Sequence, residues 1–181
     1  QHEDALSVRE AELSILQRNG GFDGAAHHML VVLNNLARSY EALGRDEQAQ
    51  QMKQDVYSAR VKLDGEEHEE TLRAANNYAY SLLDLQRFEE AKSLLRKTIP
   101  AARRVLGEGH RLALKMRRAY AQSLYKDAAA TLDDLREAVA TLEDTERTAR
   151  RVLGGAHPLT KNVEGSLRFA RAKLRAREDA E

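Results

Sequence analysis

Six histidines are the residues of this sequence best suited to hold a metal ion or to move a proton. His27 and His28 are adjacent at the start of a helical stretch, and neighbours on a helix diverge by about 100°, so they do not converge on one ion. His68, His110 and His157 each follow a glycine (Gly65, Gly107, Gly154) by three residues and recur once per repeat. Such spacing spreads them along the molecule and gives them a role in opening helices. Glu66, Glu67, Glu69 and Glu70 gather four carboxylates, but without the spaced Asp/Asn and central glycine of a calcium loop, which leaves a solvated acidic patch at a helix N-terminus. There is no cysteine, which removes thiolate zinc sites, thiol nucleophiles and disulfides together. No phosphate-cradling glycine loop, serine elbow or nucleophile–base pair occurs. No catalytic residue, cofactor or metal is therefore expected, and the chain is read as a non-enzyme.

The charge balance narrows the partners. Lys plus Arg and Asp plus Glu number 29 each, so the overall charge draws the chain neither to nucleic acid nor to an anionic membrane, and recognition by charge must be local. Arg103-Arg104 and Arg150-Arg151 fall late in helices, where they complement the helix dipole. No apolar run approaches the ~20 residues of a membrane helix. The lack of cysteine points to a cytoplasmic setting. A start at Gln1 without Met suggests a fragment of a longer protein.

The elements that carry these residues repeat. Asn34-Asn35-Leu36-Ala37 returns as Asn76-Asn77-Tyr78-Ala79, an offset of 42, and Gly65-Glu66-Glu67-His68 returns as Gly107-Glu108-Gly109-His110 at the same offset. Ala102 to Gly107 then returns as Ala149 to Gly154 at an offset of 47, which places five extra residues between Leu124 and Ala138. With only two prolines and abundant Ala, Leu, Glu, Arg and Gln, every segment favours helix. Leu33, Leu36, Ala37 and Tyr40, then Ala49, Met52 and Val56 after a break at Gly44-Arg45, describe a helix, a turn and a helix.

The predicted fold is all-α, a right-handed superhelix of antiparallel helix pairs. Its roughly eight helices fall near 3–18, 29–43, 46–63, 69–85, 88–106, 111–126, 132–153 and 158–177. Gly65, Gly107 and Gly154 are expected at left-handed C′ positions. Pro100, inside the fifth helix, predicts a kink there. Asn19 to Gly24, with three glycines, reads as a loop. The whole of 1–181 forms one repeat domain: a partial unit over 1–27, units over 28–67 and 68–109, a third over 110–156 with the insertion, and a partial or capping unit over 157–181.

His-x-x-Thr-Leu, Asn-Asn-Leu-Ala-x-x-Tyr, Gly-Arg, Glu-x-Ala and Leu-Gly-x-x-His within 42 residues resemble the tetratricopeptide repeats of kinesin light chain. The resemblance spans about residues 27–170 and is carried by His68, Thr71, Leu72, Asn76, Asn77, Ala79, Arg87, Glu89, Glu90 and Ala91 in its best unit. The third and fourth units depart from it, with Arg118-Ala119 and Gly165-Ser166 in place of the asparagine pair. In stacked helix pairs the first helices line the concave face. With Leu36 and Tyr78 taken as position seven, positions two, six, nine and thirteen give Val31, Asn35 and Arg38, then Arg73, Asn77, Tyr80 and Asp84, then Lys115, Gln122 and Lys126. The resemblance implies that Asn35 and Asn77 hydrogen-bond the backbone of an extended peptide. Arg38, Arg73, Lys115 and Lys126 favour an acidic partner. The expected function is a protein-interaction scaffold, serving as a cargo adaptor or signalling sensor module. A structural spacer, or a homodimer formed through exposed terminal helices, is the alternative.

Overall fold

The computed structural model describes residues 25–180. The helix expected at 3–18 and the glycine-rich loop at 19–24 lie outside the described residues. Those described form seven helices and no strand: α1 (Ala25–Ala42), α2 (Asp46–Asp64), α3 (Glu69–Asp84), α4 (Phe88–Leu106), α5 (Arg111–Tyr125), α6 (Leu132–Leu153) and α7 (Pro158–Glu178). Each packs against the next in sequence, and α3 also meets α5, which meets α7. The result is a solenoid of helix pairs in which first helices α1, α3, α5 and α7 run along one side.

The repeat is visible in the packing. Ala37, Ala79 and Ala121 on the first helices, and Ala49, Ala91 and Ala138 on the second, are all fully buried. A methyl group at each crossing lets paired helices approach closely, while Leu72, Leu82, Leu95, Leu114, Leu124, Leu135 and Leu142 fill the space between them. One continuous core extends from α3 to α7. The first pair has its own small cluster of Leu36, Ala37, Tyr40 and Ala49, and joins the rest through Leu30, Val56 and Ala74.

Junctions between units follow one plan. Gly65, Gly107 and Gly154 end α2, α4 and α6, and their backbone N–H groups bond Val61, Arg103 and Arg150 carbonyls. Their φ is positive as the sequence predicts, but ψ lies between 154° and 166°, so they are extended rather than left-handed helical. That region is essentially closed to side chains and swings the chain away from the helix axis at once, so the next helix opens four residues later. His68, His110 and His157 open it: each Nδ1 accepts a backbone N–H, from Glu70 at 3.2 Å, Leu112 at 3.3 Å and Leu159 at 3.0 Å. The recurrent histidines are thus N-caps, as their spacing suggests.

The five-residue insertion is divided. The elbow between α5 and α6 has six residues where the earlier two have three, and α6 has 22 residues against 19 in α4. The Asp127 carboxylate accepts the Ala129 N–H at 2.8 Å, Ala130 turns inward, and Thr131 and Asp134 form a capping box that starts α6. Lys173 of α7 ties the elbow down by donating to the Tyr125 and Asp127 carbonyls at 2.8 and 2.6 Å. Pro100 sits at an exposed position of α4, which stays continuous from Phe88 to Leu106.

Candidate peptide-binding groove

Three confluent clefts open along the first helices, and Asn77 of α3 lines all of them. The first, of 540 Å³, lies between α3, α5 and α7 and includes Tyr80, Arg111, Lys115, Arg118 and His157. A second, of 510 Å³, runs from α1 to α5 past Asn34, Arg38, Arg73 and Lys115. The third, of 200 Å³, reaches Val31 and Arg60 beside α1. The structure therefore brings Arg38, Arg73, Asn77, Tyr80 and Lys115 together, as counting along the repeats suggests.

Four other expected lining residues stand elsewhere. Asn35 is half-buried and lies outside these clefts, where Asn34, one residue earlier, takes its place. Gln122 is buried in α5. Lys126 lines a separate cleft beside the elbow, with Gln86 to Glu90, Asp127 and Ala128. Asp84 is exposed at the end of α3; partial burial and the Glu41 charge hold its carboxyl above the ordinary carboxylate range.

A polar ladder crosses the floor from one unit to the next. Asn77 Nδ2 donates to Asn34 Oδ1 at 3.0 Å, and two units on Arg118 Nε donates to Ser166 Oγ at 3.1 Å. These are equivalent rungs, since 34, 76 and 118 are separated by 42, as are 77 and 119, while 119 and 166 are separated by 47. By the same spacing the middle rung would set Asn76 against Ala119, whose methyl group has no donor to offer, and Asn76 Oδ1 is buried without a partner.

Charge in the groove is unbalanced. Arg60 is neutralised by Asp64 at 2.9 Å, and Arg73 by Glu69 and Glu70 at 2.7 and 3.1 Å. Arg118 donates only to hydroxyls, of Tyr80 and Ser166. Arg38, Arg111, Lys115 and Arg118 have no carboxylate partner among the described residues. Desolvation pushes the Tyr80 hydroxyl above its ordinary pKa against the opposing pull of Arg118, so it stays a neutral acceptor for that guanidinium. The acidic patch is likewise spent on ion pairs, Glu66 with Lys97 at 2.7 Å and Glu67 with Arg104. Among the described residues no group of three His, Asp or Glu side chains could hold a metal ion, and no helix is long and apolar enough to cross a membrane.

Residues 28–104 match the tetratricopeptide repeat family. Over that stretch the chain is similar to tetratricopeptide repeats. Its fold is that of the kinesin light chain type. A Podosopora anserina structure described as a kinesin light chain with nearly identical TPR-like repeats superposes with a TM-score of 0.77, and a single-substitution variant of it with 0.80. Each is 21% identical, covering 99% of this chain and 82% of the other. BtubC (BKLC) of P. vanneervenii is similar at a TM-score of 0.64 and 18% identity, over 99% of this chain and 75% of its own. No curated protein matches the sequence. Tetratricopeptide repeats form protein-interaction scaffolds, and residue spacing indicates only part of this groove's lining. Arg111, Arg118 and Asn162 line it but were not expected. A signal for Arg118 was present, because it replaces an asparagine in the third unit.

Proposed function

We propose that the groove binds an acidic, extended segment of another protein. The observation that carries this reading is the set of four cations, Arg38, Arg111, Lys115 and Arg118, that line clefts joined at Asn77 and lack carboxylate partners among the described residues. Asn77 uses its amide nitrogen in the ladder, which leaves its oxygen to accept a peptide N–H. Cations held on helices need little reordering to meet a carboxylate, so the groove favours acidic over neutral segments. Such a surface suits a cargo adaptor or the sensing arm of a signalling protein.

A library of N-acetylated peptides selected on the protein should be enriched in Asp and Glu, with affinity falling as salt rises. The double variant Arg38→Glu and Lys115→Glu should lose that enrichment. Identical selections from the variant and the unmodified protein would sink the reading. The second reading, self-association through the last helix, is favoured by Phe169, which is 73% exposed on α7. Light scattering against concentration, with Phe169→Ser alongside, separates the two.

A further inference from the structure

The corner of the groove between α5 and the start of α7 holds a mismatch of hydrogen-bonding groups. His157 Nδ1 accepts the Leu159 N–H at 3.0 Å as the cap of α7. A neutral imidazole carries one proton, so an accepting Nδ1 puts it on Nε2. Nε2 stands 2.7 Å from Nη2 of Arg111, and a guanidinium has only donors. Two N–H groups therefore face each other, and no described residue supplies either with an acceptor. The preceding junction lacks this conflict: the residue equivalent to Arg111 is Glu69, an acceptor that lines the same cleft as His110.

An oxygen atom bearing negative charge resolves the mismatch by accepting from both. Two more cations line the same 540 Å³ cleft: Lys115, one turn along α5 from Arg111, and Arg118, held by the Tyr80 and Ser166 hydroxyls at 3.1 Å each. Three cations exceed the single negative charge of one carboxylate, whose two oxygens would need all of their acceptor sites to meet these groups and the imidazole N–H. A phosphoryl monoester has three terminal oxygens and a charge of about −1.5 to −2. We propose that this corner binds the phosphoryl group of a phosphorylated serine or threonine on the partner segment. One oxygen sits between Arg111 and His157, and the others face Lys115 and Arg118. The inference rests on the groove reading above and makes the affinity of the groove for its partner rise with phosphorylation of the partner.

Nuclear magnetic resonance titration with N-acetyl-O-phosphoserine methylamide and with N-acetyl-aspartate methylamide tests it on the full chain. The phosphoserine compound should bind at least ten-fold more tightly and shift the His157 ring nitrogens. His157→Asn keeps a capping acceptor but removes the Nε2 proton, and Arg111→Glu restores the acceptor of the preceding junction. Both should melt cooperatively, with phosphoserine affinity reduced five-fold or more. Equal affinity for the aspartate compound, unchanged affinity in both variants, or no saturable binding would each overturn the proposal. Acidic enrichment in the peptide selection would persist in those cases if the groove reading holds, and its loss as well would remove both.

Discussion

Tyr120 shows how one side chain of the repeat is tuned by its neighbours. Its hydroxyl donates to Glu137 at 2.6 Å and accepts from Arg96 Nε at 2.8 Å, whose guanidinium also lies 5.7 Å from the ring centre. Burial, with Glu137 accepting the proton, pushes the phenol up to about 12. The unfolded chain releases that proton near pH 10 and the folded chain near 12, so folding holds the proton more tightly. The stabilisation is complete below pH 10 and is lost as pH rises from 10 to about 12. Urea titrations over that interval should show stability falling with pH, and Tyr120→Phe should flatten this part of the profile. An unchanged slope in the variant would reject the assignment.

The helices and their connections show which parts of the structure sequence spacing could reveal. Gly44 ends the first hairpin with φ of 72°, and its equivalent Gln86 takes a φ of 58°, the one positive-φ non-glycine among the described residues. Left-handed backbone disfavours a side chain by about 1–2 kcal/mol. Gln86→Gly should raise stability by about 1 kcal/mol, read as a shift in urea midpoint at constant slope. A second gain lies in the broken rung. Ala119→Ser places a hydroxyl opposite Asn76, as Ser166 already does opposite Arg118, and should contribute about 1 kcal/mol. The seven described helices, the histidine caps and the location of the insertion could all be read from residue spacing, because each follows from local conformation or a fixed period. The ladder could not, because it joins residues 43 and 48 positions apart whose meeting depends on how the units stack. Asn34 rather than Asn35 faces the clefts beside α1, although Asn77, the equivalent of Asn35, lines all three, so position within the repeat does not by itself fix which side chain of the first unit reaches the groove.

At the scale of the whole molecule, cohesion among the described residues is uneven. Core packing is continuous from α3 to α7, whereas α1 and α2 keep a separate small cluster, and the α1 backbone does not meet α3 as α3 meets α5. In an array whose units touch only neighbours, stability follows each interface rather than the total. Hydrogen exchange should therefore find amides of α1 and α2 opening at a lower free energy than those of α3 to α6. Uniform protection along the chain would contradict this.

The unequal rungs of the polar ladder also bear on how the chain avoids misassembly. Successive units share one helix-turn-helix plan, and a shared plan invites exchange: a helix pair could dock on the wrong neighbour, within one molecule or between two. Here each junction has its own pairing, amide with amide, amide with methyl and guanidinium with hydroxyl. Docking the third unit directly on the first would set Asn34 against Ala119 and strand the amide of Asn77. A wrong neighbour would therefore forfeit the hydrogen bond of the first or the third rung, whereas the middle junction, with Asn76 Oδ1 already unsatisfied, has no such bond to lose.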